Sequence, residues 1–145
     1  MPLFPLNNKY HPSPEHLIIP GIEDRFAELG IRFDSVSPHG KKIMEDRQIV
    51  AEVDLWLENR EVALLVEVKS KLDLDDIRDH AGRLEALRGW LDRRGDRRRL
   101  LGAVAAAVMS PGERKAAVKA GFYAIVQSGD TMKIDVPKGF VPREW

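Results

Sequence analysis

The sequence predicts a three-layer α/β/α domain, with helices on both faces of a central mixed sheet. Three observations carry this. From residue 61 onward strand-like and helix-like segments alternate. Such alternation implies crossovers between parallel strands, with helices over the sheet. The segment Val62–Val68, VALLVEV, is apolar on both of its faces until Glu67, as a strand covered on both sides must be. Ahead of it, Val53, Leu55 and Leu57 alternate with polar positions, and Asn59-Arg60 breaks the pattern. Two alternating runs around a two-residue polar break are the mark of a β-hairpin, which adds an antiparallel strand.

Taken in order, residues 1–14 hold four prolines and read as an extended arm, leaving 15–145 as one domain. A helix interrupted near Pro20-Gly21 has its firm part at Ile22–Leu29 and stops at Gly30. Ile31, Phe33 and Ser35 begin a first strand, and residues 38–48 are a loop or hairpin. With Asn59 and Arg60 as the hairpin loop, Asp54 lies opposite Leu65 and Glu52 opposite Glu67. Asp73 then caps a long helix, with Asp75 and Asp76 in its first turn. Leu74, Ile77, Ala81, Leu84, Leu87 and Leu91 form its apolar stripe, and Arg78, Arg83 and Arg88 lie on its outer face. Leu100–Met109 is an alanine-rich strand. Ser110-Pro111-Gly112-Glu113 opens a second crossover helix, which Gly121 ends. Phe122–Val126 and Met132–Val136 are the last strands. The expected order is helix, three strands, helix, strand, helix, two strands.

Composition narrows the possible functions. The 145 residues suffice for one domain with a core. Basic and acidic residues number 23 each, so any contact with nucleic acid must come from a local patch. There is no cysteine, hence no thiolate metal site, and a reducing cytoplasm is the expected setting. The longest apolar run is too short to span a membrane, and the start of the chain lacks the pattern of a signal peptide. His11, His16, His39 and His80 are isolated from one another, with no metal-ligand spacing.

The chemistry centres on Asp54, Glu67 and Lys69. Residues two apart on a strand share a face, so Glu67 and Lys69 point one way, with Asp54 within reach across the hairpin. Buried carboxylates are costly unless paired. A hard divalent cation takes oxygen ligands and would pair two of them. A structural ion pair between Glu67 and Lys69 is the other reading of the same residues.

Asp54, then Glu67-Val68-Lys69 in a hydrophobic strand, then a long helix, resembles the PD-(D/E)xK nuclease superfamily of restriction-endonuclease-like fold. The resemblance runs from about Phe26 onward. LVEVKSKL, LLGAVAAAV and YAIVQSGDTMKIDVP look similar to a group of small bacterial proteins within it. Val53 stands where the motif has proline, and no Gln-x-x-x-Tyr follows in the next helix. The resemblance implies Mg²⁺- or Mn²⁺-dependent hydrolysis of DNA. Asp54, Glu67 and the main-chain carbonyl of Val68 would bind the metal, and Lys69 would orient the attacking water. Glu52 and Glu23 are possible extra carboxylates; for Glu23 the favoured reading is an acid in a helix's first turn. A nuclease fold retained without cleavage, for DNA binding or dimerisation, is the alternative.

Two interaction surfaces are expected. Arg97, Arg98 and Arg99 belong to the densest basic cluster and, with Lys71, would contact phosphates; a solvated helix end is the other reading. Leu3, Phe4, Leu6 and Tyr10 in the arm, with Val141 and Trp145 in the tail, would join two copies in a homodimer.

Overall fold

The computed structural model describes residues 14–37, 41–129 and 131–145. The arm residues Leu3, Phe4, Leu6 and Tyr10, and also His11 and His39, lie outside that range. Helix α1 spans Pro14–Glu28, and strands β1 and β2 span Ser35–Ser37 and Lys41–Glu45. Then come β3 (Gln48–Val53), β4 (Leu55–Glu58), β5 (Val62–Lys71) and helix α2 (Leu74–Arg93). Strand β6 (Arg99–Val108), helix α3 (Pro111–Lys119), β7 (Tyr123–Ser128) and β8 (Thr131–Asp135) complete the described chain.

Six strands form one mixed sheet in the order β1-β4-β5-β6-β7-β8, and β2 with β3 form a separate two-stranded sheet. Strands β5, β6 and β7 run parallel, and the flanking pairs are antiparallel. The alternation of β5 decides what covers each face. Leu64 and Val66 pack with Ile22 and Phe26 of α1. Ala63 and Leu65 pack with Leu84, Leu87 and Leu91 of α2 and Ala117 of α3. Helices therefore cover both faces, as expected.

Several details differ from the expectation. Helix α1 runs through Pro20-Gly21 without a break. Strand β1 starts at Ser35, while Ile31 and Phe33 precede it and pack on the α1-side core. Residues 41–53 hold a full hairpin, turned by Asp46 and Arg47 in left-handed conformation (φ 51° and 65°). That geometry twists with the flanking strands and is the one two-residue hairpins favour.

The central hairpin is shifted by two residues. Asn59 Oδ1 accepts the N–H groups of both Glu61 and Val62 at 2.7 Å, and Asn59 N–H reaches the Val62 carbonyl. The side chain builds a wider loop, so Trp56 pairs with Leu65 and Leu55 with Val66. The pairing ends there, and the next residue, Asp54, reaches the Val68 N–H with its side chain. A shift of two leaves every side chain on its expected face.

The tail folds onto its own domain. The Trp145 main-chain N–H donates to the Leu100 carbonyl at 2.9 Å, and the indole stacks on Phe122 at 5.0 Å. Trp145 is therefore not free for the expected dimer surface. Val141 is exposed.

Candidate metal centre

Asp54 sits at a bend between β3 and β4, where the chain changes sheets. Its Oδ2 accepts the Val68 N–H at 2.8 Å. An extended residue directs its N–H and C=O to the same neighbour. The Val68 carbonyl thus faces the side on which Asp54 lies. Asp54, Glu67 and Val68 converge on the edge of β5 that β4 leaves uncovered, since the β4 pairing ends at Leu55–Val66.

Glu67 is buried, at 6% exposure. Its Oε2 accepts from Arg83 Nη1 at 2.8 Å, and its Oε1 lies 3.7 Å from Lys69 Nζ. Lys69 Nζ is also 3.6 Å from Asp76 Oδ1. Burial pushes the Glu67 carboxyl up to about 7; the negative charge of Asp54 adds to this, and Arg83 and Lys69 oppose it. Among these five side chains, three carboxylates face two cations. One negative charge is left over when Glu67 is ionised.

Asp76 owes its place to a capping box. Asp73 Oδ1 accepts the Asp76 N–H at 2.9 Å, and Asp76 Oδ2 accepts the Asp73 N–H at 3.0 Å. Asp76, His80 and Arg83 then follow at spacings of four and three, on one face of the helix. His80 is fully buried, with Nε2 3.1 Å from the Leu65 carbonyl. Burial pushes its pKa down to about 4. Residue spacing placed His80 between Ile77 and Leu84 on the apolar stripe, which is the signal that it faces inward. Arg83 is a correction: it turns inward to Glu67 and does not sit on the outer face. Arg88 is likewise engaged, donating to the carbonyls of Asp96 and Arg98 at 2.6 and 2.8 Å.

The expected site residues divide. Asp54, Glu67, Val68 and Lys69 come together, and Lys71 follows on the same face of β5. Glu52 does not join them. The bend at Asp54 carries β3 into the small sheet, where Glu52 pairs with Lys42 instead of Glu67. Glu23 is exposed on α1, across the sheet from Glu67. Arg99 pairs with Val62; Glu67 lies five residues further along β5, about 17 Å away at roughly 3.3 Å per residue. The arginine cluster thus occupies the opposite end of the sheet. Arg98 is held by Asp96 at 2.8 Å and by the Asn59 carbonyl at 3.2 Å, and Arg99 is paired with Glu144. Arg97 is exposed there.

A cleft of about 780 Å³ opens at the carboxyl ends of β5 and β6, lined by Lys71, Asp73, Ser110 and Glu113 among others. Crevices at that end of parallel strands are where α/β sheets hold ligands.

The donor set bears on the metal. Among the described residues, no three His, Cys, Asp or Glu side chains gather closely enough to hold an ion. Mg²⁺ needs no such cage, since one or two carboxylates with waters and substrate oxygens suffice. Asp54, Glu67 and the Val68 carbonyl fit that smaller set. Among the described residues no helix is long and apolar enough to cross a membrane. Compared with protein-family models, curated proteins and solved structures, the chain matches none.

Proposed function

We propose that this protein is a metal-dependent nuclease of restriction-endonuclease-like fold that hydrolyses DNA phosphodiester bonds. One observation carries the reading: Asp54 accepts the N–H of Val68, the residue after buried Glu67, with Lys69 on the same face as Glu67. Two facing carboxylates and a surplus negative charge suit a divalent cation better than they suit a resting core. Mg²⁺ or Mn²⁺, when bound, lowers the pKa of its water and offsets charge on the phosphate.

Asp54 and Glu67 are the side chains that would hold the ion, joined by the Val68 carbonyl. Lys69 is 40% exposed at its side chain and, among the described residues, is tethered by contacts of 3.6 and 3.7 Å. It is free to swing toward solvent, where it would orient the attacking water and stabilise the phosphate charge. Lys71, exposed at the cleft, is the nearer candidate for a backbone phosphate contact. A cysteine-free chain of this kind suits the cytoplasm.

A second reading has its own observation. Arg83 already sits 2.8 Å from Glu67, a pairing that a degenerate, non-cleaving module would retain as structure. Cleavage and metal response separate the two. With Mg²⁺ or Mn²⁺, the protein should nick duplex or single-stranded DNA, and Glu67→Ala and Lys69→Ala should each abolish cleavage while far-UV circular dichroism stays unchanged. The ion should also raise the melting temperature by mass action. Cleavage that persists in both variants rules out this site. Absence of both cleavage and thermal response favours the inactive module.

A further inference from the structure

We propose that Arg83 is a positioning residue, itself oriented by His80, that engages one oxygen of Glu67 and leaves the other free for a divalent cation shared with Asp54. The inference rests on the cation site proposed above.

The contacts form a loop that leaves β5 and returns to it. His80 Nε2 faces the Leu65 carbonyl at 3.1 Å, and His80 Nδ1 faces Arg83 Nη1 at 3.4 Å. A guanidinium only donates and a carbonyl only accepts. The imidazole must therefore carry its proton on Nε2 and accept at Nδ1. The same Arg83 Nη1 donates to Glu67 Oε2 at 2.8 Å. Leu65 and Glu67 are neighbours on one face of β5, so both ends of the loop rest on one strand.

The loop is held in place. His80 is fully buried and lies against Phe122 at 5.1 Å, and Phe122 lies under Trp145. An imidazole packed this way keeps its ring plane, and the arginine bonded to it keeps its direction. Long helical side chains lean toward the helix N-terminus, which brings the Arg83 head back toward β5's carboxyl end. At Glu67 the two oxygens are then unequal. Oε2 has a short charge-assisted bond. Oε1 faces Lys69 at 3.7 Å, beyond hydrogen-bond length. Partners of this kind, bonded to a ligating carboxylate from behind, orient it and set metal affinity. An arginine that merely substituted for the ion would act with the opposite sign, since removing it would tighten metal binding.

Mn²⁺ titration of the full chain without DNA, by calorimetry and by electron paramagnetic resonance of the bound ion, reads this directly. Arg83→Met keeps the aliphatic stem and should bind Mn²⁺ about 10- to 100-fold more weakly. Arg83→Lys should recover part of the loss, because a point charge replaces a planar donor. His80→Phe should weaken binding in the same direction with Arg83 still present. If Arg83→Met does not fold, Arg83→Lys decides: affinity below wild type supports the assignment, and wild-type affinity overturns it. Unchanged or tighter binding by Arg83→Met overturns the positioning role while leaving the cation site standing. Unchanged binding by His80→Phe removes His80 from the device. A wild-type chain that binds no Mn²⁺ overturns the cation site itself, and this inference with it.

Discussion

Glu67 and His80 lie on the same buried seam and respond to pH in opposite senses. The Glu67 carboxyl is raised from 4.5 to about 7, by burial first and by Asp54 next. Between those values the folded chain keeps a proton that the unfolded chain has released. Its contribution is therefore present below pH 4.5 and lost as pH rises through 7. His80 is lowered from 6.5 to about 4, by burial first. Here the unfolded chain gains the proton that the folded chain refuses. Its contribution is present above pH 6.5 and lost as pH falls through 4. Across pH 4.5 to 6.5 the two slopes oppose each other. Glu67→Gln removes one of them. The urea midpoint of that variant should fall more steeply than wild type as pH is lowered from 6.5 to 4.5. Parallel curves for the two proteins would mean that Glu67 stays ionised throughout.

At the scale of elements, β5 and α2 carry both the fold and the site. Their packing depends on a bare backbone at Gly102 in β6. A methyl there would meet Leu84 Cδ1 and the Phe122 ring at 2.6 Å. Gly102→Ala should thus cost about 1 to 3 kcal/mol by overpacking, measured by urea denaturation; a neutral result would show that α2 can move away from the sheet. Much of this layout was legible in the sequence. The periodicities of 62–68 and 74–91 named β5 and α2 and their inward faces. The Asp73 cap was readable because its spacing is local. The hairpin register was not, because the Asn59 side chain widens the loop, and nothing in an Asn-Arg pair announces that. The error was harmless to the faces, and the observed register brings the Asp54 side chain to the Val68 N–H. Glu52 failed for a different reason: the strand holding it bends at Asp54 into another sheet, while alternation alone reads as one strand. Arg83 and the arginine cluster show a third limit. A long basic side chain on a helix can reach inward or outward, and its partner is set by tertiary placement of a carboxylate far along the chain.

For the whole molecule, equal numbers of acids and bases conceal a division of labour. The basic run 93–99 is largely spent on structure. Arg93 and Arg94 reach Glu45 at 2.8 and 3.2 Å, tying the outer hairpin to the end of α2. Arg98 joins the turn after α2 to the turn before β5. The C-terminal tail makes a comparable closure at the same pole. Arg143 N–H bonds to the Gly121 carbonyl, Glu144 pairs with Arg99, and the Trp145 indole covers Phe122 while Arg143 lies over it at 4.6 Å. Phe122 is the ring against which His80 rests, so the tail backs the seam that ends at Glu67. Trp145→Ala should therefore destabilise the chain. A core tryptophan costs about 3 to 5 kcal/mol, and for this half-buried one half of that is expected, roughly 2 kcal/mol. The molecular mass by light scattering should not change, because the indole stacks on Phe122 of its own chain. If the substitution instead halved the mass while leaving the unfolding midpoint of the monomer intact, the indole would belong to an interface between copies.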